Sequence, residues 1–462
     1  MKLGKRFFWL VLAGFLAVGV AGALFIMPHY EGSAPTITLA KTPTHLGVSN
    51  KLDFQAADVG KGLSLVQVTL EQPGKSKLLL DQKYANDSIW HDGKLKSASF
   101  SLSIEPKKLG LADGPATLTL TVRDHSWRRA FHGNVTSKAF QILVDTKPPA
   151  VSVLNGTIYI NRGGAGLAVY STDQDAREHG VMVGDHLFPG FAPWPKHPKA
   201  RLCYFAYPES EKKGAEVAIW AKDPAGNQTK VPLAVRLKWK AYRHDIMRVS
   251  DGFLESIVPR FASVLPPKPT DALSRYIIVN TQIRVKDNAR ARQAAMESGP
   301  YQLWNEKAFQ RPMGKLMAGF GDRRRYMYKT KLISNSVHLG QDIASVKQAP
   351  IKAAASGVVR FAGDLGIYGN CVVLDHGQNV ATLYGHLSSI AVTPGTKVKG
   401  GQQIAQSGST GLSGGDHLHF SVLVGGVFVA PKEWWDPHWI QDNINHHLAS
   451  AGLGLPTPPA AK

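Results

Sequence analysis

Near the C-terminus the sequence reads Gly414-Gly415-Asp416-His417-Leu418-His419-Phe420-Ser421-Val422. The alternation of its apolar residues predicts a β-strand, in which residues two positions apart point to the same face. His417 and His419 would then project their imidazoles into one small volume. Each buried imidazole needs a hydrogen-bond partner or a metal. The pair therefore favours a metal or catalytic site, and the alternative is two solvated histidines on an exposed strand.

A second histidine lies upstream in His338-Leu339-Gly340-Gln341-Asp342. A straight strand would hold His338 and Asp342 roughly 13 Å apart, too far to share an ion. Gly340 tolerates unusual backbone geometry, so a bend there would bring the two side chains together. One carboxylate oxygen with two imidazole nitrogens is a reasonable zinc set that leaves a fourth position for water.

A third histidine, His386, ends an apolar alternating segment in Tyr384-Gly385-His386-Leu387-Ser388. Taken alone it fits a functional site and a buried core position equally well, and His338 with Asp342 fits an ordinary surface pair. The joint occurrence of these pieces, each on a short strand or turn bounded by glycine, favours one shared site.

The segment from Trp304 to Trp439 resembles the lysostaphin/LytM-type zinc metallopeptidases, which cut peptide bonds in bacterial peptidoglycan. The resemblance covers less than a third of the chain, and it is specific because separate motifs occur in the right order. The matching pieces are Gly319 to Tyr326, His338 to Asp342, Tyr384 to Ser388 and His417 to Phe420.

By position, the resemblance implies that His338, Asp342 and His419 bind Zn²⁺ and that His386 and His417 are catalytic. His417 would act as a general base, and His386 would donate to the developing oxyanion. None of these five residues is replaced, which argues against the inactive relatives that only scaffold other enzymes. His376, in the same region, is interpreted as structural.

The N-terminus predicts export. Lys2, Lys5 and Arg6 precede an uncharged apolar run from Phe7 to Met27 that would span about 30 Å as a helix. The preceding positive charge places the N-terminus in the cytoplasm and the rest outside. We expect a single-pass anchor in the inner (cytoplasmic) membrane with the bulk of the chain in the periplasm. A signal peptide cleaved at Ala21-Gly22-Ala23 is the alternative.

The net charge indicates which binding partners to expect. The 462 residues include 54 Lys and Arg against 34 Asp and Glu, a net charge of +20. An exported basic protein without a nucleic-acid motif is expected to bind anionic wall polymer or lipid headgroups, or to have a general solvated basic surface.

Cys203 and Cys371 are predicted to be buried free thiols, which leaves no cysteine for a zinc site or a nucleophile.

The fold class predicted is mainly β. Short alternating runs such as Leu118 to Asp124 and Glu216 to Asp223 end in turns, which favours two immunoglobulin-like β-sandwiches. A short helical linker and a C-terminal antiparallel β-sheet metallopeptidase domain would follow. The expected segments are a membrane helix (1–30), two sandwiches (31–145 and 146–238), a linker (239–303), the peptidase domain (304–440), and a C-terminal helix and tail (441–462).

Two functions remain open from the sequence. The first is a zinc metalloendopeptidase that hydrolyses peptide cross-links of peptidoglycan. The second is a non-enzymatic scaffold that binds peptidoglycan or activates another wall hydrolase. A hydrolase that acts on a secreted protein instead of the wall is a smaller third option. The intact five-residue set favours the enzyme, and the sequence leaves open which bond is cut.

Overall fold

The computed structural model describes residues 2–173 and 176–458, so the last four residues of the expected tail, 459–462, lie outside the described part. The fold is mainly β, as predicted. The chain divides into two compact units. Unit 1 runs to Pro148 and includes the turn Asp223–Asn227, and unit 2 comprises Pro149–Lys222 and the chain from Gln228 onward.

Unit 1 begins with an apolar helix, α1 (Lys2–Ile26), which a 3-10 turn at Met27–Tyr30 continues. The unit also contains a short turn, α2 (Arg128–Phe131), before its last strand. The strands are β1 (Thr36–Leu39), β2 (His45–Leu46), β3 (Asn50–Ala57), β4 (Leu63–Gln72), β5 (Lys75–Lys83), β6 (Ser97–Ile104), β7 (Gly114–Asp124) and β8 (Val135–Val144).

These strands form two sheets, in the orders β1-β3-β6 and β2-β8-β7-β4-β5. One hydrophobic core takes residues from both sheets. In β7 the alternate residues Leu118, Leu120 and Val122 are fully buried while their neighbours are partly exposed. This is the pattern of a strand with one face on the core.

Unit 2 opens with nine strands arranged in three small sheets, β13-β12-β15-β16, β14-β11-β9 and the parallel pair β10-β17. The immunoglobulin-like character of these strands stays a prediction. Their bounds are β9 (Val151–Val153), β10 (Ile158–Asn161), β11 (Ala165–Thr172), β12 (Glu178–Val183), β13 (His186–Pro189), β14 (Ala200–Ala206), β15 (Val217–Lys222), β16 (Gln228–Pro232) and β17 (Val235–Lys238).

A helical segment follows strand β18 (His244–Val249). It consists of α3 (Asp251–Ile257), a 3-10 turn at Val258–Phe261, α4 (Ala272–Ile278), a π turn at Val279–Ile283 and α5 (Arg284–Ala294). Ser250 caps α3, because its side chain accepts a hydrogen bond from the amide of Phe253.

The remaining strands build a large sheet of eight strands, in the order β19-β22-β30-β26-β25-β24-β28 with β31 beside β30. Two smaller sheets, β18-β20-β21 and β23-β29-β27, accompany it. The strands are β19 (Lys315–Ala318), β20 (Arg323–Tyr328), β21 (Lys331–Val337), β22 (Gln341–Ala344), β23 (Pro350–Lys352), β24 (Gly357–Asp364), β25 (Asn370–Asp375), β26 (Val380–Leu387), β27 (Ser389–Ile390), β28 (Lys397–Val398), β29 (Gln403–Gln406), β30 (Leu418–Val424) and β31 (Val427–Val429). Three short helices close the chain, α6 (Pro431–Trp434), α7 (Pro437–Ile440) and α8 (His446–Ser450), with a π turn at Gln441–Asn445.

Strand β30 lies in the middle of the large sheet and is buried along its whole length. Phe420, Val422 and Val424 join one hydrophobic core, and Leu423 joins a second core that includes residues of α3 and α4. Because successive strand residues point to opposite faces, His419 and Ser421 share the face of Leu423. The histidine therefore faces the same side of the sheet as the helical segment.

Candidate functional site

The pairing of two neighbouring strands brings the predicted residues together. In the antiparallel pair β22 and β30, Asp342 lies directly opposite His419. His338 precedes β22, and its Nε2 lies 2.9 Å from Asp342 Oδ1 and 3.1 Å from His419 Nδ1. Asp342 Oδ1 and His419 Nδ1 are also 2.9 Å apart. Two imidazole nitrogens and one carboxylate oxygen thus converge on one point.

The predicted bend at Gly340 is present between His338 and β22. A Cβ at this position would lie 2.6 Å from His419 Nε2, from the Phe420 carbonyl oxygen and from Ser421 Oγ. Any larger residue would therefore push β30 away from the bend. Glycine is required here for the close approach of the two segments.

Neighbouring groups fix the tautomer of both histidines. His338 Nδ1 lies 2.7 Å from the Gly319 carbonyl oxygen, which only accepts, so Nδ1 carries the hydrogen. Ser421 Oγ donates to the Leu339 carbonyl oxygen at 2.9 Å and accepts from His419 Nε2 at 3.0 Å. The nitrogens that face Asp342 are therefore the ones that carry lone pairs.

Three hydrogen-bond acceptors consequently face one another at about 3 Å, and none of them can donate to another. Burial lowers the pKa of His419 to about 4, so extra protonation of this ring does not relieve the repulsion. The Arg324 guanidinium, 2.9 Å from Asp342 Oδ2, favours the ionised form of this carboxyl group. An ionised carboxylate with two neutral imidazoles is a donor set that fits Zn²⁺, with each ligand oriented by a second hydrogen bond.

Arg324 holds the other oxygen of the carboxylate. Its guanidinium donates to Asp342 Oδ2 at 2.9 Å, and its side chain is 16% exposed. The sequence analysis missed this residue. The available signal was its position in the run Arg323-Arg324-Arg325, where the middle residue of a strand points to the opposite face from the other two.

His417 and His386 lie beside the three acceptor atoms. Their ring centroids are 4.8 Å apart, and His417 Nε2 lies 3.6 Å from Asp342 Oδ1. His417 Nδ1 donates to the Gly415 carbonyl oxygen at 2.9 Å, and His386 Nδ1 donates to the Thr410 carbonyl oxygen at 2.8 Å. All five residues predicted for the site therefore meet in one place.

The two rings differ in environment. Burial lowers the pKa of His386 well below its ordinary value, and the nearby His417 and His419 add to this. Burial also acts to lower the pKa of His417, but the Asp342 carboxylate and the Gly415 carbonyl raise it above its ordinary value. His386 has a φ of +64°, a strained conformation for a residue that is not glycine, and such strain is common at functional sites.

The site opens into a cleft of about 360 Å³. All five residues line it, and Met247, Phe253 and Tyr276 from β18, α3 and α4 supply apolar walls. A cleft with a few convergent polar groups and apolar walls is the usual form of a binding site.

The other side chains discussed from the sequence lie elsewhere. His376 is fully buried, with Nδ1 on the Ser356 carbonyl oxygen and Nε2 on Thr382 Oγ1, both at 2.8 Å. Its structural interpretation is confirmed. Cys203 and Cys371 are buried free thiols, also as predicted.

Comparison with known proteins places this site in a family. Residues 336–431 match Peptidase family M23. The DD-carboxypeptidase/endopeptidase Mpg of Neisseria meningitidis is 43% identical over 95 residues, which are 21% of this chain and 22% of Mpg. The peptidoglycan DD-endopeptidase ShyA of Vibrio cholerae is 38% identical over 125 residues, 26% of this chain and 28% of ShyA.

A solved structure also matches part of the chain. The catalytic domain of lysostaphin from Staphylococcus simulans is 31% identical and aligns with 26% of this chain and 92% of its own, at a TM-score of 0.23. The chain thus matches less than a third of the length of the two curated relatives. The C-terminal part of the chain contains a Peptidase family M23 domain of the LytM/lysostaphin type.

Proposed function

We propose that this protein is a zinc metalloendopeptidase of the bacterial envelope that hydrolyses peptide cross-links of peptidoglycan. One observation carries the proposal, namely the three acceptor atoms of His338, Asp342 and His419 that meet at about 3 Å. Such a cluster is stable when a cation lies among its atoms. The chemistry that zinc supplies in such a set is Lewis acidity towards a carbonyl and activation of water.

Arg324 and Ser421 position the proposed ligands. The guanidinium of Arg324 neutralises Asp342 Oδ2 and keeps Oδ1 directed at the two imidazoles. Ser421 holds His419 in the tautomer whose Nδ1 carries the lone pair. These contacts are of the kind that orient metal ligands in other sites.

His417 is proposed to carry the proton. Its Nδ1 is held by Gly415, so Nε2 is directed at the side of the cleft where Asp342 lies. A histidine placed there accepts a proton from the attacking water and returns it to the leaving amine.

His386 is proposed as its partner. Because Nδ1 donates to Thr410, the neutral ring has only the Nε2 lone pair left for the cleft. This geometry suits an acceptor that orients water, and donation to an oxyanion would first require a proton on Nε2.

We further propose that the bond cut is a D,D-peptide bond, since Mpg and ShyA are DD-endopeptidases by name. The test is mass analysis of products from two purified muropeptide dimers, one with a D-alanyl–diaminopimelate cross-link and one with a glycine bridge. Cleavage of the first alone supports the proposal. Full zinc content without cleavage of either dimer would favour the non-enzymatic scaffold.

Anchoring by α1 belongs to the same proposal. The apolar segment Phe7–Tyr30 has the length and composition to cross a bilayer. No residue in its most apolar stretch is buried in the structure. Mass determination of the mature protein from membranes tests it. An intact N-terminus supports the anchor, and a chain that begins near Ala23 supports a cleaved signal peptide.

A further inference from the structure

Unit 1 carries a group of exposed apolar side chains around the C-terminal end of α1. Ile89 is 59% exposed, Trp90 48%, Phe131 61% and Tyr30 49%. We call these four residues the aromatic rim. Large apolar side chains grouped in this way on a soluble surface indicate contact with another apolar phase.

Trp127 holds the rim together from beneath. It is 8% exposed, and its ring lies 4.8 Å from that of Trp90 and 5.4 Å from that of Phe131. Its indole nitrogen donates to the Ile89 carbonyl oxygen at 2.8 Å. The loop with Ile89 and Trp90 and the loop with Phe131 are thus fixed on one support while their tips point outward.

The backbone at Phe131 is strained. Arg129, Ala130 and Phe131 have φ values of 55°, 55° and 68°, a left-handed region that residues other than glycine rarely occupy. The packing of Trp127 against Phe131 helps to hold this turn in place. A strained turn that exposes a phenylalanine points to a use for that side chain outside the folded unit.

The rim is continuous with the proposed membrane helix. The ring of Phe25, within α1, lies 5.7 Å from Trp90, and His29 stacks on Trp127 at 4.5 Å. Tyr30 belongs both to the apolar segment and to the rim. Because no linker separates the helix from these loops, a helix that crosses a bilayer places the rim at the bilayer surface.

The chemistry of the rim suits that position. Tryptophan and tyrosine are enriched at membrane–water interfaces, where an apolar ring and a polar edge are both accommodated. The exposed Arg128 donates through Nε to the Tyr30 carbonyl oxygen at 3.1 Å, so a guanidinium stands at the end of the helix. The nearby carboxylates Asp87 and Asp92 are each paired with a lysine at 2.7 Å. Arginine at this level attracts anionic headgroups.

We propose that the aromatic rim inserts into the interface of the bilayer that α1 crosses and so seats unit 1 directly on the membrane surface. This inference rests on the proposed anchoring by α1. The partner is the lipid interface, where headgroups meet acyl chains, and the contact needs no protein receptor.

The two native cysteines make a direct test possible. Cys203 and Cys371 are fully buried, so a cysteine introduced on the surface of the full-length protein is labelled selectively. We would attach an environment-sensitive fluorophore to Ile89→Cys and Phe131→Cys in the rim. Leu78→Cys, at a position 55% exposed in β5, is the matched apolar control, and Leu16→Cys within α1 reports the anchor.

Each protein is reconstituted in vesicles of phosphatidylcholine and phosphatidylglycerol with brominated acyl chains, and emission is compared with unbrominated vesicles. We expect blue-shifted, bromine-quenched emission at positions 16, 89 and 131 and unshifted, unquenched emission at position 78. Quenching at 16 but at neither 89 nor 131 would overturn the rim while leaving the anchor intact. Absence of quenching at 16 would overturn the anchor, and the rim proposal with it.

A second measurement tests whether the charge of the lipid headgroups contributes to the contact. Arg129→Glu replaces an exposed cation two residues before Phe131 and leaves Trp127 itself unchanged. We expect bromine quenching at position 131 to be reduced in anionic vesicles and to be unchanged in purely zwitterionic ones. Quenching that falls equally in both kinds of vesicle, or in neither, relative to the protein that keeps Arg129 would overturn the role of headgroup charge.

Discussion

Two clusters in this protein each bring three potential metal ligands within 4.8 Å, and they are built in opposite ways. One is His338, Asp342 and His419 in unit 2, and the other is Glu31, Asp58 and Asp124 in unit 1. By formal charge the acidic cluster would attract a cation more strongly. The hydrogen bonds around each cluster lead to the opposite conclusion.

In the acidic cluster, backbone and side-chain donors already occupy the carboxylates. Asp124 Oδ1 accepts from the amides of Ser126 and Asn134, and its Oδ2 accepts from the Asn134 side chain. The amides of Lys61 and Gly62 donate to Glu31 and Asp58. In the histidine cluster the donors bind the far side of each imidazole, and the lone pairs are left facing one another. The placement of donors therefore decides which cluster needs a cation.

The largest effect expected is from His419→Ala. Removal of one of the three proposed ligands should abolish stoichiometric zinc binding and lower the proposed peptidase activity by roughly three orders of magnitude or more. Zinc content by mass spectrometry and cleavage of muropeptide dimers measure the two losses. His438→Ala is the matched control, since that side chain is 92% exposed, and it should keep both. Retention of full activity by His419→Ala would show that the histidine cluster is not the zinc site on which the comparison depends.

His417→Ala should separate binding from catalysis. Its Nε2 lies 3.6 Å from Asp342, farther than His338 or His419, so zinc content should stay near wild type. Loss of the proton carrier should lower kcat by about 10²–10⁴-fold. Loss of zinc in parallel with activity would show instead that His417 is a ligand.

The residues of the histidine cluster, unlike those of the acidic cluster, could be predicted from the sequence. The order of the motifs and the His-x-His spacing identified all five residues that meet at the cleft, and Gly340 marked the bend between His338 and Asp342. These signals are local, because strand periodicity and glycine tolerance depend on a few neighbouring residues.

The partners that orient the ligands could not be predicted in the same way. Arg324 reaches Asp342 only because of the way β20 is placed beside the site, and Ser421 of β30 reaches Leu339, which precedes the neighbouring strand β22. Strand order in the large sheet is not sequential, so its neighbours cannot be read from the chain. The domain boundaries and the immunoglobulin-like topology remain predictions for the same reason.

Arg324→Gln tests whether a residue that orients a proposed ligand affects zinc affinity. Without the guanidinium, Asp342 Oδ2 loses its charged donor, and zinc affinity should fall by about 10–100-fold. Competition with a fluorescent chelator measures the affinity. The neighbouring Arg325 is exposed, so Arg325→Gln should leave the affinity unchanged. Equal effects of the two substitutions would indicate a general charge effect and not positioning of the carboxylate.

Asp124→Ala should act on stability and not on zinc. The change leaves the buried amides of Ser126 and Asn134 without their acceptor, at a cost of about 1–3 kcal/mol for each unsatisfied group. Hydrogen exchange at the Asn134 amide should be faster, while zinc content stays at the wild-type value. Asp87→Ala, at an exposed carboxylate, is the control and should leave this exchange rate unchanged.

The smallest effect expected is the response of unit 1 to calcium, which should be close to zero. Asp58 Oδ1 is buried without a hydrogen-bond partner in the described part of the chain, so it is an oxygen that a cation could still bind. Burial raises the pKa of Asp58, and the charges of Glu31 and Asp124 raise it further against the hydrogen bond from Gly62. An ion that bound the other carboxylate oxygens would have to displace the amides that already donate to them.

Hydrogen exchange of unit 1 amides in millimolar calcium and in chelator tests this directly. The two rates should agree, while the same chelator should speed exchange around His338 and His419 as zinc is removed. Slower exchange at Asn134 in calcium would mean that an acidic cluster with its amides already bonded still recruits a cation. Charge, and not the placement of donors, would then be the better guide to metal sites in this chain.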